Sequence, residues 1–566
     1  MAGERISAFH AWRSDSSTAV RLLLGLPGLL RRAIDGVHAR EVVRRRLASR
    51  DQSFLDVARR EILGRPAGVY ARLLMAGGWS WHDLELAVRR RGLEETLCAL
   101  REDGVFVRAD ELRGRIPLER RGERFEVDLA ALRPAGAARP DLAVRSSGSR
   151  GRAAEGAIAL AAVRDQAFDL TAALAADGGT WRAGVWMVPG SVVLVRATDL
   201  HLATGQPVQL FLQVDPLEAG LHHRYRWSLR LLRWAALAAG RPLPAFRHAS
   251  VDDPAPVLRW VREVLDGGER PLLWTQPSAA IELARAAVDA GADLSGLRLS
   301  LGGEASTAAR MNTIRRSGAE AFPHYASMET GLIGIGCRRP RHSDHLHLLD
   351  DLHATVPDPE SGELLFTSLR PDCRFFLLNA SLGDLAELDS DPCGCILEEL
   401  GWRRKVHTVR SRSRVTAGGM TFPHTTIARA LETILPSRFG GVATDYQLVE
   451  NSGPDGAPRL RLLVDPRVGP IEPEELERAF LEAIGEGDGL DRVMSLHWRS
   501  GGWVGVERRP PLRTGTGKRH PVHRLDHVPQ REASDGGDAS AATASPPSVQ
   551  PVSGSQPSSA KSSSSD

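Results

Sequence analysis

The run Asp141-Leu-Ala-Val-Arg-Ser-Ser-Gly-Ser-Arg-Gly-Arg152 decides how the chain is read. A short apolar strand enters it and a helical segment, Ala153 to Ala176, is predicted to leave it, so small, hydroxylated and glycine residues fall in a strand-to-helix loop. Backbone N–H groups in such a loop can converge on an anion; glycine permits close approach, and a helix start adds favourable field. Ser146, Ser147 and Ser149 contribute hydroxyls, and Arg150 or Arg152 contributes charge. The loop is not a Walker A sequence, because Gly151 and Gly156 keep the spacing but Ala157 stands where lysine is required, and no G-x-G-x-x-G closes a strand. Taken alone, it fits an ordinary Ser/Gly connection as well as a phosphate cradle.

Outward from this loop the pattern alternates. Strand-like runs at Val192 to Val195, Gln209 to Val214, Pro271 to Trp274 and Leu297 to Leu301 are separated by Ala/Leu-rich helical stretches such as Ile281 to Ala290. That pattern predicts an α/β fold, a sheet covered by helices. Upstream, residues 1–65 form an Arg-rich helical extension, and Leu84 to Leu112 continues the helical period. The apolar stretch Val20 to Leu30 is broken by Arg21, Gly25 and Pro27, so it reads as an amphipathic lead-in, neither secretory signal nor membrane span. Downstream, Glu363 to Asp384 and Val406 to Phe422 read as β-rich and Pro473 to Ile484 as a helix. The expected organisation is a large domain over 66–409, a small α+β domain over 410–528, and a Ser/Ala/Pro tail over 529–566 with too little apolar surface to order.

Composition sets limits. With 566 residues, 42% hydrophobic and 25% charged, the chain can bury several cores. A formal net charge of +3 gives no basis for a nucleic-acid partner. The cysteines Cys98, Cys337, Cys373, Cys393 and Cys395 are too few and clustered for a disulfide framework, which points to a reducing, cytoplasmic setting. Arginine supplies 70 of the 73 basic residues, leaving only Lys405, Lys518 and Lys561. A scarce ammonium is therefore informative where chemistry needs a compact point charge.

Ser146-Ser-Gly-Ser-Arg-Gly151 resembles the first core motif of the adenylate-forming superfamily, the AMP-binding acyl- and aryl-CoA ligases and peptide-synthetase adenylation domains. Further pieces follow in the family's order: Thr275-Gln-Pro-Ser278, Leu297 to Ala305 with Gly302-Gly303-Glu304, His324-Tyr-Ala-Ser-Met-Glu-Thr-Gly331, Leu382-Gly383-Asp384, and Leu512-Arg-Thr-Gly-Thr-Gly-Lys518. The style is closest to the phenylacetate–CoA ligase branch, and the resemblance extends from about Tyr70 to Leu525. It implies a large multi-sheet amino-terminal domain, a small mobile carboxy-terminal lid, and a ligase that uses ATP and Mg2+.

The resemblance also assigns roles. Ser146, Ser147, Gly148, Ser149, Arg150 and Gly151 would cradle the β- and γ-phosphates, and Glu329 would hold Mg2+. Gly303, Glu304 and Tyr325 would line the adenine and acyl pocket, and Asp384 would accept from the ribose hydroxyls. Lys518 would bring its ammonium to the carboxylate and α-phosphate, and Arg410 would be the hinge-region arginine. A hairpin over Thr416 to Met420 would approach the thiol after the lid rotates. Cys337, His347, Cys393 and Cys395 fall where relatives carry a structural metal; three thiolates and an imidazole would complete a tetrahedral zinc shell, with His342 and His345 as further candidates and buried small hydrophobes as the plain alternative.

Three positions depart from the family pattern. The last lysine of the phosphate loop is replaced by Ala154, the arginine before Gly-Asp by Asn379, and the hinge acid by Arg412 or Ser413. The expected activity is activation of a small carboxylic acid followed by transfer to a thiol, with coenzyme A as co-substrate. Transfer to a carrier-protein or protein cysteine is the alternative, and a non-catalytic nucleotide- or acyl-binding scaffold a second one. Trp274 and Tyr325 point to a flat or aromatic acid.

Overall fold

The computed structural model describes residues 24–134, 142–145, 155–214, 223–411, 414–417, 420–452, 458–486, 489–514 and 517–524. Residues Met1–Leu525 group as one unit and Asp526–Asp566 as another. Ser146, Ser147, Gly148, Ser149, Arg150, Gly151, Ala154, Arg412, Ser413, Gly418, Gly419 and the tail from 529 lie outside the described residues.

The mixed α/β architecture is as expected. Its centre is a twelve-stranded sheet with two halves. In the parallel half the order is Arg247–His248, Gln209–Leu212, Trp181–Met187, Arg270–Thr275, Arg298–Leu301 and Glu320–Ser327. The strand Gly331–Ile335 then turns back antiparallel and opens the second half, which continues through Leu346–Leu348, Lys405–Ser411, Ala380–Asp389, Glu363–Ser368 and His353–Pro357. The parallel strands read as near-continuous apolar runs because helices cover both faces. Helices Leu160–Asp177 and Ser191–Thr204 pack on one side, around Val185, Leu210 and Leu272. Ala255–Asp266 and Pro277–Asp289 pack on the other, around Trp186, Leu273 and Leu299. An amino-terminal helical layer with Phe54, Leu84 and Leu97 covers the antiparallel half against Phe366 and Leu378.

Two local expectations are corrected. Glu155–Ile158 is a strand, paired antiparallel with Leu142–Arg145, and the helix begins only at Leu160. The Ser/Gly run therefore joins the arms of a hairpin and is followed by no helix start. Val192 to Val195, read as a strand for its β-branched residues, lies in the first turns of helix Ser191–Thr204. Burial decided that case: Val193, Leu194 and Val195 are all enclosed against the sheet, so tertiary packing overrides intrinsic preference.

The carboxy-terminal residues form their own four-stranded sheet, ordered Val504–Arg508, Pro458–Val464, Tyr446–Ser452, Val522–Arg524. Helix Pro473–Ile484 starts as its sequence dictates, with proline in the first turn and Glu474 and Glu475 at the positive end of the dipole. Its Leu476, Ala479, Phe480, Ala483 and Ile484 face Leu448, Leu462 and Trp498.

Candidate active site and thiol-imidazole cluster

Parallel strands of this kind open a crevice beyond their carboxyl ends. There the sheet delivers Thr275, Gly302-Gly303-Glu304 and His324-Tyr325 from three adjacent strands and the loops that follow them. Lys518 arrives from the small carboxy-terminal lobe. A Cβ placed on Gly303, whose φ is +86°, would lie 3.3 Å from Lys518 Cε and 3.5 Å from its Nζ. The adjoining turn closes on itself, Thr514 N–H donating to Lys518 O at 2.9 Å and Gly517 N–H to Thr514 O at 2.8 Å. Gly517 has φ +76°, and a Cβ there would collide with Gln213 Oε1 and Val188, so the turn needs glycine for both shape and clearance. The scarce ammonium is thus inserted into the crevice. Burial lowers the Lys518 pKa, and the Glu304 charge opposes that shift.

Glu304 is the hub that holds the lobe there. Its carboxylate accepts from Ser278 N–H (3.0 Å), Ser278 Oγ (2.7 Å), Arg310 Nη1 (2.7 Å) and the backbone N–H of Arg519 (2.8 Å), the residue next to Lys518. Burial alone would raise the Glu304 pKa; Arg310, His520 and these donors outweigh it and leave the group below the usual carboxylate value. Arg310 also reaches Glu432 (3.0 Å) and Arg519 O (2.9 Å), while Arg519 donates to Glu282 (3.1 Å). Arg285–Asp445, Arg467–Glu282 and Arg513–Asp252 add further pairs between lobe and body. Removing one partner of a buried pair costs about 3–5 kcal/mol. Arg310 and Arg519 escaped the sequence reading because an arginine among 70 carries no signal of its own, and Glu432 because it lies in none of the motifs.

Tyr325 donates its hydroxyl to Asp384 Oδ2 at 2.9 Å, which brings the central motif and the Gly-Asp motif together. Gly383, at φ +81°, bends the strand at this point. Glu329 sits in the turn between strands Glu320–Ser327 and Gly331–Ile335; it is buried, and its Oε1 is 3.6 Å from Arg113 Nη2. Arg410 pairs with Asp344 at 3.4 Å. Asn379 does not face the crevice. It is fully buried at φ +47°, donating its amide to Leu97 O (2.8 Å) and Val105 O (3.2 Å), so it ties the helical layer to the sheet.

A second cluster lies in the antiparallel half. One ligand-type atom from each of Cys337, His347, Cys393 and Cys395 falls within 4.8 Å of every other. Cys337 Sγ is 3.9 Å from Cys393 Sγ, and His347 Nε2 is 3.5 Å from Cys393 Sγ and 3.3 Å from Cys395 Sγ. A tetrahedral zinc with ordinary bond lengths sets sulfurs about 3.8 Å apart and sulfur to nitrogen about 3.5 Å. His347 Nδ1 lies 2.7 Å from Trp402 O, which fixes the ring with Nε2 toward the thiols. The Cys393-Gly-Cys395 turn is clamped by Glu398, which accepts from Cys393 N–H (3.0 Å) and Gly394 N–H (2.8 Å), and Lys405 anchors Glu398 at 2.6 Å. Lys405 is fully enclosed. The hydrogen bond from Cys337 and the His347 ring lower the Cys395 pKa, while Cys337 and Cys393 are pushed the other way. His345 and His342 stand outside: His345 Nδ1 accepts from Arg341 N–H at 3.1 Å, and His342 stacks on His407.

No family model and no curated protein sequence matches the chain. Among solved structures it is similar to a 2-hydroxyisobutyryl-CoA ligase in complex with 2-HIB-AMP and CoA, at 16% identity, covering 87% of this chain and 91% of that one, with a TM-score of 0.37. It is also similar to the amide bond synthetase McbA from Marinactinospora thermotolerans (14% identity, 88% and 98% covered, TM-score 0.40). ATP-bound MatB from Rhodopseudomonas palustris is a third (12%, 79% and 80%, 0.41). Likenesses at this level assign no activity to the chain.

Proposed function

We propose that the protein activates a small carboxylic acid with ATP, forming an acyl- or aryl-adenylate, and passes the acyl group to a thiol, with coenzyme A as the acceptor. The observation that carries this is the Lys518 ammonium held against Gly303 in the crevice by the Glu304 hub. In that position it can face the two anions that must meet, the acid's carboxylate and the α-phosphate. The carboxylate oxygen bonds to phosphorus, the bond to the bridging oxygen breaks, and pyrophosphate leaves with the electron pair. A compact cation with three donors steadies the charge that builds there. Asp384, steadied by Tyr325, presents an acceptor for ribose hydroxyls. Glu329 offers the carboxylate oxygen that a hard cation bridging phosphates requires, and Mg2+ supplies charge neutralisation there.

The thiol-imidazole cluster fits Zn2+ in donor set and spacing. Four protein ligands leave no open position, so the ion would brace the Cys-x-Cys turn and the sheet edge and take no part in turnover. A reducing cytoplasm suits those thiolates.

The test is carboxylate-dependent ATP–pyrophosphate exchange over a panel of aliphatic and aryl acids, with wild type and Lys518→Ala. Exchange with some acid, reduced about 100-fold or more in the variant, supports the reading. Absence of exchange with every acid overturns it in favour of the scaffold. Thioester formation with coenzyme A, against a phosphopantetheine carrier protein, then identifies the acceptor.

A further inference from the structure

A cavity of about 370 Å3 opens at the far end of the parallel sheet from the crevice, a volume within the usual range for small-molecule sites. Strand Arg298–Leu301 connects the two. Its first residue, Arg298, is on the cavity wall, and Gly302-Gly303-Glu304 follow its last residue into the crevice. At about 3.3 Å per residue, Arg298 and Gly302 stand about 13 Å apart. The wall is completed by the end of helix Leu160–Asp177, the segment after strand Gly331–Ile335, and the Cys-x-Cys turn with the short helix Ile396–Leu400.

That wall has an apolar part, made by Ala173, Ala176 and Ile396, and a charged part, where Arg298, Arg338 and Arg339 meet the carboxylates of Asp177 and Glu399. Asp177 serves two of the three guanidiniums: it pairs with Arg298, and its Oδ1 accepts from Arg338 Nε at 3.1 Å. Outside the lining, Glu320 Oε1 accepts from Arg338 Nη1 at 2.9 Å. Arg339 donates Nη1 to the Gly394 carbonyl at 3.0 Å. Arg298 is 2% exposed, and its guanidinium lies 3.8 Å over the Phe322 ring. Stacking occupies the face of that group and leaves hydrogen bonding to its edge, where Nε is buried with no hydrogen-bond partner among the described residues. An enclosed donor left unmet is costly, and an oxyanion is its natural complement.

We propose that this cavity binds a small organic oxyanion, a carboxylate or phosphate head on a short apolar body. The head lies against Arg298, Arg338 and Arg339, and the body against Ala173, Ala176 and Ile396. The site is separate from the crevice that holds Lys518 and does not rest on the adenylation reading, so either can fail alone.

The experiment titrates the full chain with benzoate, phenyl phosphate, inorganic phosphate and the neutral benzamide by calorimetry, and locates binding by hydrogen exchange with peptide mapping. Wild type is compared with Arg339→Met and Ala176→Leu, each checked for an unchanged melting midpoint. Arg339 is exposed and Ala176 half-buried near the end of its helix, so both replacements leave the Arg298–Asp177 pair in place. The expected result is saturable binding of benzoate, phenyl phosphate or both that slows exchange over 336–339 and 394–397 and weakens about tenfold or more in each variant. Binding of benzoate alone identifies a carboxylate head, and of phenyl phosphate alone a phosphate head. No slowing over those segments with either anion, benzamide or inorganic phosphate bound there as tightly, or an affinity unchanged in either variant overturns the site. Slowing confined to 302–304 assigns the anion to the crevice and overturns it as well.

Discussion

Glu304→Gln is the sharpest probe of how the small lobe is held. The replacement keeps shape and volume and removes only the charge and half the acceptor capacity. Oε1 accepts from Ser278 Oγ and Arg519 N–H, and Oε2 from Ser278 N–H and Arg310 Nη1. Three of these four donors cannot reverse, so either orientation of the amide sets its NH2 against a backbone N–H. One charge-assisted hydrogen bond is lost at about 1.5–3 kcal/mol, and Arg310 keeps only Glu432 as a counter-charge, so the total is about 3–5 kcal/mol. Arg519 adjoins Lys518, so part of that loss falls on the placement of the ammonium. If about 2 kcal/mol is felt there, ATP–pyrophosphate exchange falls about thirtyfold. Thioester formation from a preformed acyl-adenylate, for which the resemblance implies a rotated lobe, should be spared. Exchange within about twofold of wild type at an unchanged melting midpoint would refute the hub.

Three further outcomes are expected. In the proposed reaction Lys518 works protonated, and burial lowers its pKa, so exchange should be full at lower pH and fall as pH rises through a value below the ordinary lysine pKa of about 10.4; Lys518→Arg should move that alkaline limb upward. Zinc measured by mass spectrometry should approach one per chain and drop at least about tenfold in occupancy under mild chelation in Cys395→Ser, with a lower melting midpoint; a metal-free wild type purified under reducing conditions would count against the metal. Asn379→Arg, which restores the residue type expected before Gly-Asp, should lower stability by about 3 kcal/mol or more without raising exchange, because the position is buried, left-handed and facing the helical layer; denaturant unfolding checks it.

Much of the body was legible because its signals are periodic. Arg270–Thr275 and Pro473–Ile484 match the apolar run and the amphipathic pattern read from their residues. The thiol cluster was legible for the opposite reason: cysteine is rare here, so Cys337 and the Cys393-Gly-Cys395 turn stand out, and only their meeting with His347 needed coordinates. Val192 to Val195 misled because β-branched residues tolerate a helix when one face is enclosed. The cation beside Glu329 was hidden by abundance: Arg113 comes from the distant helical layer, and nothing local separates it from its exposed counterparts. Asn379 was noticed only as a replacement; its positive φ and its bonds to Leu97 and Val105 give the structural reason.

The distribution of amines offers a native clock. Lys405 is sealed beneath the Cys-x-Cys turn, and Lys518 is packed against Gly303. A mild acetylating reagent applied to the intact protein should therefore leave Lys405 unmodified and reach the half-buried Lys518 slowly. The rate of that mass shift, read by peptide mapping with and without nucleotide, would report how far a bound nucleotide covers the ammonium, without any engineered label.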